Sequence, residues 1–241
     1  MKKCTYLLLL AVTVFFCSCE DKPDDYVTQL FTNNQISGAL AQCADSTMVR
    51  ARNVLFVQDT VHQKFGYYYY DGEAYRILPP PEAKNMMDTL EKYGHKERIA
   101  ALILDMNRAA EKCGDRVAQF WNPIIRQITF SNPNLILHGG DNAITNYIRQ
   151  THQNDFISTL VSSTLVEQFN ALNVISRWNE LQIIYFETTG IHPSVNILTS
   201  AAQQVADGLF KRMALEEKAI REDPELRGPK TGWLYRVFET L

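Results

Sequence analysis

Glu216 and Glu217 stand side by side in a segment whose apolar residues, Val205, Leu209, Met213 and Ile220, recur at helical spacing. Glu216 falls on that apolar stripe, three residues after Met213 and four before Ile220, while Glu217 and Arg221 lie on its shoulder. An earlier segment repeats the pattern: Asn107 and Glu111 flank the stripe Ile103, Met106, Ala110, one helical turn apart. A carboxylate at the edge of a core has to be paired or protonated, because a buried unpaired charge costs several kcal/mol. Arg108, Arg149, Arg221 and Arg227 are the candidate counter-charges, with Tyr147 and Asn107 as candidate hydrogen-bond donors. Two roles are open to such a set. One is structural: ion pairs and caps that fix helix register, with Asp141 capping the helix that follows it. The other is a polar cleft for a small ligand, lined by Glu111, Glu216 and Glu217 with Arg108 and Arg149. A carboxylate pair acting as general acid in a hydrolase-like enzyme would belong to that second role. Helical position does not set the separation of two carboxylates that such chemistry requires, so binding ranks above catalysis. The candidate polar site is Asn107, Arg108, Glu111, Asp141, Tyr147, Arg149, Glu216, Glu217 and Arg221, with no catalytic residue assigned.

Other chemistries find little support. His62, His95, His138, His152 and His192 are dispersed, with no HExxH and no pair four residues apart, so no metal is expected. There is no GxSxG, P-loop or dinucleotide fingerprint, and no cofactor is expected. Tyr67 to Tyr70 form either an exposed recognition strip or a set packed on neighbouring helices.

The elements that position these residues are helical almost throughout, and the expected fold is all-α, a multi-helix bundle with one small β-hairpin near residues 65–78. The hairpin rests on the aromatic run, the Asp71-Gly72 turn and the β-prone stretch that follows; Pro79, Pro80 and Pro81 end it. Helices are expected at 34–56, capped by Asn33 or Asn34 and bent or broken near Asp45-Ser46, and then through Met86, Leu90 and Tyr93 to Gly94. A long helix is expected from Lys96 to Phe120, with Pro123 bending or restarting it, and a short one through Leu135 and Leu137 capped by Ser131 or Asn132. Helices at 143–151, 154–171, 173–187 and 196–222 follow, then a short apolar C-terminal segment around Trp233, Leu234, Val237 and Phe238.

The N-terminus carries an address. Lys2 and Lys3, the apolar run Tyr6 to Phe16, and small residues after it have the layout of a secretory signal, and the run is too short to span a bilayer. Ser18-Cys19 resembles the lipobox of bacterial lipoproteins, which implies cleavage before Cys19 and a diacylglycerol on its sulfur, with acyl chains such as palmitate. Glu20, Asp21, Asp24 and Asp25 resemble the acidic export tag of surface lipoproteins and also suit a solvated tether. The expected organisation is a signal peptide at 1–18, a lipidated acidic tether at 19–32 and a single helical domain at 33–241. Removing Lys2 and Lys3 with residues 1–18 lowers the basic count from 24 to 22 against 27 acidic residues, a formal charge of −5. No basic footprint for nucleic acid remains. The expected partners are the lipid bilayer, through the acylated cysteine, and a small molecule or envelope protein. The expected location is the outer membrane, on its periplasmic face or at the cell surface. Cys43 and Cys113 are either a disulfide or two buried thiols.

Three blocks carry a family resemblance: Asn107-Arg108-Ala109-Ala110-Glu111, the stretch from Ile136 through His138-Gly139-Gly140-Asp141 to Arg149, and the long run from Asp207 to Arg227. In this order they resemble a bacterial envelope family known as domain of unknown function 4197, over roughly residues 30 to 240. Arg76-Ile77-Leu78-Pro79 is similar to that family's basic-apolar-Leu-Pro pattern, whereas the tyrosine run before it departs from the family's Gly- and Asn-rich approach. The resemblance implies a helical fold and an envelope address, and no particular activity.

Overall fold

A capping box opens the first helix. Thr32 accepts the Gln35 N–H through its hydroxyl, and the Gln35 side chain accepts the Thr32 N–H at 2.8 Å. The helix that follows, α1 (Asn33–Leu55), runs without interruption past Asp45 and Ser46. The structure, a computed structural model, describes residues 31–193 and 195–241. The expected signal peptide, Cys19 and all of the tether before Phe31 lie outside the described residues.

Among the described residues there are helices and no strands. After α1 come α2 (Gly66–Tyr69), α3 (Lys84–Lys92), α4 (Lys96–Glu111), α5 (Gly114–Gln127), α6 (Pro133–Leu137) and α7 (Ala143–Thr159). A short π-helical segment (Leu160–Thr164) leads into α8 (Leu165–Ala171), and α9 (Val174–Thr189), α10 (Ile197–Glu222) and α11 (Trp233–Phe238) complete the bundle. The long α10 packs against α1, α7 and α8, while α6 and α11 lie on α1, and α4 packs on α2, α8 and α9. Ala39, Ala44 and Ala51 of α1 and Ala201, Ala202 and Ala206 of α10 are buried, so small side chains let these two helices approach closely. Larger buried side chains, Leu40, Leu209, Phe210 and Trp121 among them, supply the apolar burial, about 1.5–3 kcal/mol for each aliphatic or Phe side chain.

The helices α1 and α10 run antiparallel. Arg50 pairs with Glu216, Phe56 packs on Tyr67, and Tyr67 donates its hydroxyl to the Val205 carbonyl at 2.8 Å. The described chain therefore begins beside the C-terminal end of α10, where Phe31 meets Trp233 edge-on at 6.2 Å.

Several expectations are corrected. Residues 65–78 contain no β-hairpin: Gly66–Tyr69 is a single helical turn and the segment from Arg76 to Pro80 is extended but has no partner strand. Its backbone groups are bonded by side chains instead. The Asn107 carboxamide accepts the Ile77 N–H at 2.9 Å and donates to the Ile77 carbonyl at 2.8 Å; Gln204 does the same for Leu78, at 3.0 and 2.9 Å. Two amides on two helices thus do the work of a neighbouring strand. The long helix expected from Lys96 to Phe120 is broken between Glu111 and Gly114, where a Cβ on Gly114 would lie 2.7 Å from the Phe56 Cβ. Glycine there lets α5 begin against the end of α1. Pro123 sits inside α5 without ending it, and the helix expected at 143–151 extends to Thr159. Cys43 and Cys113 are both free and buried; burial pushes the Cys113 thiol up to about 12 and raises Cys43 further.

Candidate functional site

Glu217 is fully buried and commits both oxygens to the first turn of α7. The Ile144 N–H donates to Oε1 at 3.0 Å and the Thr145 N–H to Oε2 at 2.7 Å. Arg221, one turn further along α10, donates Nε to Glu217 Oε1 at 2.9 Å and Nη1 and Nη2 to the Leu137 and Ile136 carbonyls at 2.7 and 3.2 Å. One ion pair therefore serves two helix ends that meet across the Gly139-Gly140 turn. Its carboxylate takes free N–H groups where α7 starts, and its guanidinium takes free carbonyls where α6 stops, each charge matching the helix dipole it faces. Arg227 extends this arrangement, donating to the carbonyls of Ile220, Phe238 and Arg221 at 2.9, 3.0 and 2.5 Å, and so closes the ends of α10 and α11. Asp141, expected to cap α7, is exposed and pairs with Lys218 Nζ at 3.1 Å.

Glu111, buried like Glu217, uses the same device at α2. Its Oε1 accepts the Tyr68 N–H at 3.2 Å, and Oε2 pairs with Arg108 Nη1 at 2.5 Å. Burial raises the Glu111 carboxyl above the usual glutamate range, and the Arg108 hydrogen bond and the Tyr68 N–H pull it back in part. Gly66 lies against it with a positive φ of 87°, and a Cβ there would collide with the Val57 carbonyl and the Glu111 carboxylate. Glu216 lies between α1 and α10, held by Arg50 Nε at 2.5 Å and by Arg212. Arg212 also donates Nη1 to the Tyr70 hydroxyl at 2.5 Å, and its guanidinium lies over the Tyr70 ring at 5.2 Å. The remaining tyrosines of the run pack likewise: Tyr67 is buried against Gly208, and Tyr68 faces the Arg76 guanidinium at 4.4 Å.

The residues singled out in the sequence thus fall into separate clusters. Glu217 meets Arg221 and Glu111 meets Arg108, each within one helical turn. Asn107 holds Ile77, Tyr147 donates to the Thr129 carbonyl at 2.6 Å, and Arg149 pairs with Asp207 at 2.5 Å. The reading from sequence missed Arg212, although its position four residues before Glu216 is the spacing of a helical ion pair. It also missed Arg50 and Gln204, whose partners are 166 and 126 residues away and leave no local trace.

Away from these clusters lies a groove of about 1040 Å³. Leu78 and Pro79 to Pro81 of the extended segment line it, together with Met87 of α3, Ile99 and Ile103 of α4, Val195 and Asn196 before α10, and Thr199, Ser200, Gln203 and Gln204 in its first turns. Ile99 and Ile103, expected in the core, are only partly buried because their outer sides face this groove. None of the buried carboxylates lines it. Among the described residues no group of His, Cys, Asp and Glu could hold a metal ion, and no helix is long and apolar enough to cross a membrane.

The fold and the site define an all-α bundle in which buried carboxylates cap helices from a distance and a separate groove combines apolar and polar side chains. A family model matches residues 34–239, and the chain belongs to that family, described as "Protein of unknown function (DUF4197)". No curated protein and no solved structure gives a significant match.

Proposed function

We propose that the protein is a cell-envelope lipoprotein, anchored to the outer membrane through an acylated Cys19, whose helical domain acts as a binding module. The observation that supports binding over catalysis is the pairing of the buried carboxylates. A general acid has to reach substrate directly or through one water, and Glu111, Glu216 and Glu217 instead face arginines and backbone amides. The groove beside the prolines, in contrast, combines hydrocarbon from Leu78, Met87, Ile99, Ile103 and Val195 with polar side chains from the start of α10, a concave mixture suited to binding. The anchor is tested by mass spectrometry of the protein purified from membranes, in the native chain and in Cys19→Ala. The expected result is a mature N-terminus at Cys19 bearing acyl chains, and loss of processing and of membrane retention in the variant. A mature chain beginning elsewhere without lipid would overturn the envelope reading.

A further inference from the structure

We propose that the groove beside Pro79–Pro81 binds a single-chain neutral amphiphile: a hydrocarbon tail carrying an uncharged, hydroxyl-bearing head, as in a monoacylglycerol. The proposal deepens the binding-module reading and rests on it. The groove, about 1040 Å³, reaches the upper end of the ~300–1000 Å³ typical of small-molecule sites. Leu78, Met87, Ile99, Ile103 and Val195 offer hydrocarbon to a tail.

An extended peptide fits this lining poorly. Pro79, Pro80 and Pro81 have no N–H, and the Leu78 N–H and carbonyl are both taken by Gln204. The extended segment therefore has no free backbone ladder to which a strand could add. An anionic head fits poorly as well. Glu82 and Lys84 are the charged lining residues, opposite in sign, and Lys84 Nζ is already paired with Asp88 at 2.7 Å. Thr199, Ser200 and Gln203, near the start of α10, line the groove with neutral polar groups; Gln203 Nε2 donates to Asp207 at 3.1 Å and Ser200 Oγ accepts from Gln204 at 3.3 Å, which leaves the Thr199 hydroxyl, the Ser200 O–H and the Gln203 carbonyl oxygen for a hydroxyl-bearing head.

The test is calorimetric titration of the full chain carrying Cys19→Ser with monoacylglycerols of increasing tail length, below their micelle concentrations. Saturable one-to-one binding is expected, with affinity rising about fourfold per methylene until the tail fills the groove. Ile103→Glu, which puts a charge in the groove, should weaken binding at least tenfold, and Ile183→Glu, on the exposed face of α9, should leave it unchanged. Thr199→Trp, filling the groove from α10, replaces Ile103→Glu if circular dichroism shows that variant unfolded. Absence of saturable binding, equal binding by groove-altered and native chains, or tighter binding of a fatty acid of equal length would each overturn the proposal. Cys19 acylation is measured separately on the native chain, so a failed titration with acylated Cys19 removes this ligand and leaves the envelope assignment standing.

Discussion

The two ends of α10 are built in opposite ways. Toward and just past its C-terminus, Glu216, Glu217, Arg221 and Arg227 are all bonded across to other helices or to the chain beyond α10, and Met213 and Ile220 on the same face are buried. Toward its N-terminus, Asn196 caps its own helix by accepting the Thr199 N–H at 3.0 Å, the neighbouring polar side chains are neutral, and apolar residues of α3 and α4 are left partly uncovered. The difference separates holding from acting. Buried charge in this bundle marks where helix ends are fastened, and partly uncovered hydrocarbon lines the groove proposed to take a ligand.

That contrast gives an order of effects. Glu217→Ala strips two N–H groups of α7 of their acceptor and leaves Arg221 buried without its counter-charge, so urea denaturation should show a loss of about 3–5 kcal/mol. A loss below 1 kcal/mol, on the order of an exposed pair, would erase the distinction between the two ends. Asn107→Ala leaves the buried Ile77 N–H and carbonyl without partners and should cost about 2–3 kcal/mol. Gln204→Ala does the same to Leu78, which water can reach at the groove, and should cost about 1 kcal/mol or less. Equal losses would mean that the groove is as dry as the core.

Glu111 sharpens the contrast through pH. Its folded carboxyl is raised above 4.5, so over the window from 4.5 up to that raised value the folded chain holds a proton that the unfolded chain releases. Stability should fall as pH rises through that window, and Glu111→Gln should make the slope shallower in a series of melts, with Asp105, also raised by burial, supplying part of what remains. Smallest of all, Asp141→Asn removes only an exposed partner of Lys218 and should leave the melting temperature unchanged.

Much of this bundle was legible because helical periodicity reports burial directly. Glu216 was expected on the apolar stripe and is 3% exposed; Gly94, Asn132 and Asp223 end or begin helices where their residue types suggest. The Thr32-to-Gln35 capping box and Gly114 were also readable and were passed over in favour of neighbouring asparagines and an unbroken stripe. The tyrosine run misled for a physical reason. Its β propensity reflects a need for packing and backbone partners, and here Gly208, Asn107 and Gln204 meet that need from distant helices. The caps on α7 were beyond local reading as well. Nothing near Asp141 signals that Glu217, 73 residues beyond Ile144, will take the Ile144 N–H in its place.

The most direct test of the division between fastening and binding is one pair of monoacylglycerol titrations, on Ile103→Glu and Glu216→Gln, at a temperature where both variants are folded. Ile103→Glu should lose binding while remaining folded, and Glu216→Gln should bind like the native chain while unfolding at lower urea. Loss of binding in folded Glu216→Gln, with Ile103→Glu unaffected, would put the ligand at the carboxylates and contradict the account.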